Sequence, residues 1–152
     1  MHYNLAYTYS KLGREKDAIA EYEKTSPPTK EILSIIAQYY LKEKKYETAI
    51  RYYKKIVVLE PKKAASYSSL GYAYAASKKW DKAIENYLIA LKYDSEDDEL
   101  YANLGEAYEN KKLYQEALRA YTSAYELNPE SAKAVRRIPS LKIQLLQKKS
   151  QK

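Results

Sequence analysis

The side chains that carry most enzyme chemistry are nearly missing from this sequence. It has no Cys and one His, His2. Without thiols there is no disulfide, no thiolate zinc site and no Cys nucleophile. A lone imidazole with no second His or Cys cannot build a metal cluster, and it makes a poor candidate for a general base. No glycine-rich phosphate loop, H-E-x-x-H or G-x-S-x-G stretch occurs. The one acidic cluster, Asp94-Ser95-Glu96-Asp97-Asp98-Glu99, lacks the glycine and distal Glu of a calcium loop. It precedes a helical apolar stripe, where acids cap free amides and favour the helix dipole. The expectation is a chain with no catalytic residue, no metal and no cofactor.

Tyrosine and lysine dominate instead. There are 19 Tyr, one Trp and no Phe. A core built on Tyr must give every hydroxyl a partner or a route to water, which suits a thin, elongated array better than a thick globule. The net charge is +7. Residues 1–130 carry as many basic as acidic side chains, and residues 131–152 carry the excess without a single acid. Lysine pairs recur at Lys44-Lys45, Lys78-Lys79 and Lys111-Lys112, with Arg14 and Lys16 earlier.

These residues must be placed by helices. The chain has 152 residues, 45% hydrophobic and 31% charged, the composition of one globular domain. Eight Gly plus Pro are too few for a turn-rich β fold. No apolar run approaches a membrane span. The Met1-His2-Tyr3-Asn4 start shows no signal peptide, so the default compartment is the cytoplasm. Ser66 to Tyr74 aligns with Leu100 to Tyr108 at an offset of 34, and the match continues through Trp80 with Tyr114, Ala83 with Ala117, Tyr87 with Tyr121 and Ala90 with Ala124. Another 34 residues back lie Leu33, Ile36, Ala37, Tyr40, Tyr46, Ala49, Tyr53 and Ile56, closed by Pro61; Pro129 stands in the same phase. A weaker copy holds Leu5, Ala6, Tyr9, Ala18 and Tyr22. Each unit shows two apolar stripes at helical spacing, separated by a short polar turn. Small residues at Gly71, Gly105, Ala37, Ala83 and Ala117 allow two helices to approach closely. One helix pair cannot bury both stripes, so the units must stack.

The period of 34, with W/Y-x2-L-G-x2-Y, then A-x3-Y, then a closing Pro, resembles the tetratricopeptide repeat. The resemblance covers residues 1 to about 131. It implies an all-α, right-handed superhelical solenoid of antiparallel helix pairs. Four repeats are expected at about 1–29, 30–63, 64–97 and 98–131, followed by a basic capping helix and tail at 132–152. Two departures stand out. Tyr22 to Tyr53 is three residues short and spans Ser26-Pro27-Pro28, which should stop the second helix near Thr25. Glu15 occupies the place of Tyr46, Trp80 and Tyr114, so the first unit should pack more loosely. The chain starts two residues inside that unit, with His2 at an aromatic position, which points to a truncated start or a frayed first helix. At the other end Val135 and Ile138 continue the phase, Pro139 should kink or split the cap, Leu141, Leu145 and Leu146 resume the stripe, and 148–152 should fray.

The resemblance implies a function: such arrays bind an extended peptide or a helix of another protein in a concave groove lined by the first helix of each unit. The residues off the packing stripe are then Tyr3, Tyr7 and Lys11; Ser34, Gln38 and Lys42; Ser68, Tyr72 and Ala76; Glu99, Ala102, Asn103, Glu106, Glu109 and Asn110; and Lys133, Arg136, Arg137 and Ser140. Twelve of the 19 Tyr fall on repeat positions and read as core; Tyr7 and Tyr72 do not, and as rigid exposed rings they suit partner contact. Some relatives clamp a chaperone's C-terminal carboxylate with Lys and Asn, then Asn, then Lys and Arg. Asn103, Lys133 and Arg137 match the last three places, but Ser68 and Tyr72 occupy the first two, which argues against that clamp. A generic acidic-peptide site at Lys133, Arg136 and Arg137 is compatible with the sequence. Two alternatives differ in kind. A lysine ridge plus the basic tail could bind nucleic acid or an anionic membrane, although the charge balance of 1–130 and the lack of an aromatic-flanked basic groove argue against both. An unfinished N-terminal stacking face could pair copies into a homo-oligomer.

Overall fold

The computed structural model describes residues 2–150; Met1, Gln151, Lys152 and the side chain of Lys149 lie outside the described residues. All regular structure among the described residues is α-helical. No described helix is long and apolar enough to cross a membrane. The chain divides into two compact units, Met1–Pro61 and Lys62–Lys152.

The first unit holds α1 (His2–Lys11), α2 (Glu15–Glu23), α3 (Lys30–Lys42) and α4 (Tyr46–Leu59). The helix α1 packs on α2, α3 on α4, and α2 on α3. Ala6, Ala18, Ile19, Tyr22, Ile32 and Ile36 form its core. The helix α1 is formed from His2 onward, and His2 Nδ1 meets Glu21 Oε2 at 2.8 Å. The helix α2 stops at Glu23, two residues before the expected Thr25, and α3 begins behind Thr29, whose hydroxyl accepts from the Ile32 amide at 3.4 Å. The shortened joint is held by Glu23, whose Oε1 accepts from both Tyr40 and Tyr52 hydroxyls at 2.8 Å. Those two rings stack 5.9 Å apart. Glu15, in place of an aromatic, accepts from Lys42 Nζ at 2.8 Å.

The second unit holds α5 (Ala64–Ala76), α6 (Trp80–Tyr93), α7 (Asp98–Asn110), α8 (Tyr114–Leu127) and α9 (Ala132–Ser150). Consecutive helices pack in turn from α5 to α9, and α5 also meets α7. The acidic cluster caps α7: Asp97 Oδ1 accepts from the Leu100 amide at 2.8 Å, and Asp98 and Glu99 lie in the first turn.

Inside every helix pair the turn is the same. The Tyr9, Tyr40, Tyr74 and Tyr108 carbonyls accept from the amides of Arg14, Lys45, Lys79 and Leu113 at 2.8–3.0 Å. This Schellman closure needs one left-handed residue. Gly13 supplies it once at φ 71°; Lys44, Lys78 and Lys112 supply it at φ 57°, 59° and 61°. The lysine pairs are therefore out of register. Lys44 and Lys78 are the first of their pairs, whereas Lys112 is the second, and Lys111 Nζ instead pairs with Asp81.

Close approach explains the small residues. A Cβ on Gly71 would lie 2.7 Å from the Tyr87 ring, and one on Gly105 3.0 Å from the Tyr121 ring. Tyr22, Tyr53, Tyr74, Tyr87 and Tyr121 are buried, and the other repeat-position tyrosines are half-buried, with a route to water at one edge.

The cap is one helix rather than two. Helix α9 runs unbroken through Pro139. A mid-helix Pro costs about 3 kcal/mol, but fully buried Ala134 and Leu141 anchor α9 on both sides of it. Ala134 rather than Val135 faces the core, with Ile138 packed beside it, while Val135 and Leu146 are exposed. The helix reaches Ser150; the expected fraying of 148–152 falls partly on Gln151 and Lys152, outside the described residues.

Candidate functional site

The expected groove residues lie on α1, α3, α5, α7 and α9. In the first unit Tyr3, Tyr7, Lys11, Gln38 and Lys42 are exposed and Ser34 is half-buried. The Lys11 ammonium stands 5.3 Å over the Tyr7 ring, and Tyr3 meets buried Tyr22 edge-on at 6.0 Å. Tyr3 and Tyr7 each keep about half their surface in solvent.

In the second unit Tyr72 is 55% exposed. It lines a cleft of about 310 Å³ with Ala75, Ala76, Trp80, Tyr87, Asn103, Glu106, Ala107 and Lys133. Alanines at the helix contacts leave the space, and the aromatic residues supply its apolar surface. Tyr87 is 1% exposed yet lines this cleft. No described residue hydrogen-bonds its hydroxyl, and no buried polar atom of the described residues is left unsatisfied. The hydroxyl therefore opens onto the cleft. Burial, then the nearby Glu106 carboxylate, push this phenol well above its ordinary range, so it is neutral. Tyr121 is likewise pushed up to about 12 by burial, with Glu106 adding to the rise and Arg136 opposing it.

Two basic residues of α9, Lys133 and Arg137, are each paired with an acid of α7. Lys133 Nζ donates to Asn103 Oδ1 and to Glu106 Oε2, each at 2.7 Å. Arg137 pairs with Glu109, with Nε to Oε2 at 3.0 Å, and Tyr121 donates to the same carboxylate oxygen at 3.4 Å. So Asn103 and Lys133 do meet, and both cations of the pattern's last two places pair with acids of α7. Arg136 remains exposed, Asn110 donates to the Glu106 carbonyl at 2.8 Å, and Ser140 Oγ donates to the Arg137 carbonyl at 2.9 Å. Glu99 is exposed, and Ser68 and Ala76 are half-buried.

One expected groove residue is not there. Ala102 is 2% exposed and belongs to the core cluster with Ala117, Tyr121 and Ala134 of α9. The next first helix covers this position, so it is a packing contact. The sequence reading also overlooked Trp80 and Tyr87 as cleft residues. Both were read as core, and only the depth of the cleft reaches them. Among the described residues no cluster of His, Cys, Asp or Glu could hold a metal ion.

The fold has many known counterparts. The structure of the MamA protein superposes with a TM-score of 0.81 at 24% identity, covering 92% of this chain and 78% of that one. YrrB, described as a TPR protein with an unusual peptide-binding site, gives 0.79 at 17% identity, covering 90% and 72%. The first TPR of Spaghetti (RPAP3) bound to the HSP90 peptide SRMEEVD gives 0.73 at 23% identity, covering 77% and 93%. At these identities they establish the fold alone. Comparison with curated protein sequences found no match. Family models for the tetratricopeptide repeat match residues 1–24, 36–88 and 98–131, and a model described as TPR repeat matches 72–112. The repeat models, the helix pairs and the shared fold together place this chain in the tetratricopeptide-repeat family, as an all-α solenoid.

Proposed function

We propose that this chain is a non-catalytic interaction module that binds a peptide or helix of another protein along its first helices. The observation that carries the reading is Tyr72, a large rigid ring 55% in solvent beside an aromatic cleft of about 310 Å³. Such a ring loses little side-chain entropy on binding and contributes much apolar area. Tyr7 occupies the matching place in the first unit, also half exposed. The peptide held by the Spaghetti relative and the peptide-binding site of YrrB support the same use of the frame. The repeat boundaries at about 1–29, 30–63, 64–97 and 98–131, with the cap from 132, are proposed on the same footing; each of the first four holds one helix pair.

The test is capture of partners from lysate at low and high salt, beside a Tyr7→Ala/Tyr72→Ala variant. Groove recognition predicts a protein retained by the parent at high salt and lost by the variant, because apolar contact is weakly screened. Nucleic acid or lipid released equally from both proteins by salt would replace this reading with the lysine ridge and tail.

A further inference from the structure

This inference rests on the groove reading and names the chemistry of what the groove takes. We propose that the cleft between α5, α6 and α7 receives a cationic side chain of the partner segment, an arginine, with Lys133 as the internal cation it displaces.

Four observations converge. The cleft, about 310 Å³, sits at the lower end of the roughly 300–1,000 Å³ of small-ligand sites. It has room for one long side chain. Its lining includes three aromatic side chains, Tyr72, Trp80 and Tyr87, and ring faces attract cations, guanidinium above all. Its polar lining is matched to a cation. Glu106 offers a carboxylate, Asn103 a carbonyl oxygen, and the buried Tyr87 hydroxyl has no described partner. The site already holds a cation: the Lys133 ammonium spans Asn103 Oδ1 and Glu106 Oε2 at 2.7 Å each.

Lys133 is a poor final occupant. About half of its side chain and half of that of Glu106 are in solvent, so exchanging this ammonium costs little. A guanidinium could donate two bonds to Glu106 in place of one. An acidic side chain would meet the Glu106 carboxylate and be repelled. The corresponding cleft of the first unit is different: Glu15 stands where Trp80 does and Ile35 where Asn103 does. The cationic site therefore belongs to the second unit.

Trp80 is the sole tryptophan of the chain, so its fluorescence reads the cleft directly. The full chain is titrated with Ac-Gly-Arg-Gly-NH2 and with its norleucine and glutamate counterparts. The arginine peptide is expected to give a saturable change in Trp80 emission. The norleucine peptide should bind at least tenfold more weakly and the glutamate peptide should give no saturable change. Glu106→Gln should weaken the arginine peptide about tenfold, and Lys133→Ala, which removes the internal competitor, should strengthen it several-fold. Both positions are exposed, and far-UV ellipticity checks that the variants fold. Tighter binding of the glutamate peptide, or loss of arginine binding in Lys133→Ala, would overturn the inference while leaving groove recognition standing. No response to any peptide would overturn it as well. The groove reading itself is tested separately, by the lysate capture with Tyr7→Ala/Tyr72→Ala, and fails there if the partner survives the variant.

Discussion

Gly71→Ala separates helix propensity from helix packing. In an isolated helix the change would stabilise by about 0.8–1 kcal/mol. Here the new methyl would sit 2.7 Å from two carbons of the Tyr87 ring and 3.3 Å from the Ala83 carbonyl oxygen. The ring is 1% exposed, so the overlap must be relieved by shifting a packed side chain or helix. Overpacking of this kind costs about 1–3 kcal/mol, so set against the propensity gain a net loss of up to about 2 kcal/mol is expected. Gly105→Ala is the internal control. Its methyl would lie 3.0 Å from the Tyr121 ring, a shift of a few tenths of an ångström, so propensity and strain should nearly cancel. Ala37 is fully buried at the equivalent place of the first unit, so a methyl there is compatible with the helix pair. Urea unfolding followed by far-UV ellipticity measures both variants. Gly71→Ala must be the less stable of the two. A Gly71→Ala chain as stable as, or more stable than, the parent would refute close approach as the reason for glycine.

Three further outcomes follow from the same contacts. Glu23→Gln weakens two charge-assisted bonds from Tyr40 and Tyr52; with Glu23 itself exposed, the loss should be about 1–2 kcal/mol, and it should shrink in a Tyr40→Phe/Tyr52→Phe background, as a double-mutant cycle in urea would read. Lys44→Gly, Lys78→Gly and Lys112→Gly each relieve a left-handed lysine; a strain of about 1–2 kcal/mol against a glycine entropy cost of about 0.5–1 kcal/mol predicts a triple variant about 1–2 kcal/mol more stable by thermal and urea unfolding. Stability should fall in alkali: the Tyr52 and Tyr121 phenols are pushed up to about 12, chiefly by burial, so the folded chain keeps protons that the unfolded chain releases from about pH 10. The stabilisation is complete below pH 10 and is lost between about pH 10 and 12, more from buried Tyr121 than from part-exposed Tyr52, and urea midpoints at pH 8, 10 and 11 test it.

The repeat was legible because each of its positions answers one packing demand. Gly71 and Gly105 must be small because Tyr87 and Tyr121 press on them, and Ala83, Ala90, Ala117 and Ala124 are wholly buried for the same reason. Periodic contacts of this kind leave a periodic trace. The candidate site was legible only in outline. Tyr72, Asn103, Glu106 and Lys133 were placed on the groove side, but nothing in their spacing shows that the Lys133 ammonium lands on Glu106. Long, flexible side chains choose partners across helices by reach and local charge, which a 34-residue period does not encode. Ala102 was misplaced because one alanine reads alike whether a neighbouring helix covers it or solvent does. Pro139 was expected to kink or split α9 by local rules, and tertiary anchoring at Ala134 and Leu141 keeps it from splitting. The left-handed backbone of Lys44, Lys78 and Lys112 was hidden because lysine at that turn position looks like any surface lysine until φ is known.

The most direct measurement is site-specific photocrosslinking in cells, with the photoreactive residue at position 72 or, as a control, at exposed Glu126 on α8. Groove recognition predicts one or a few defined protein adducts from position 72 that are absent from position 126. Equal adducts from both positions, or nucleic acid and lipid adducts alone, would contradict it.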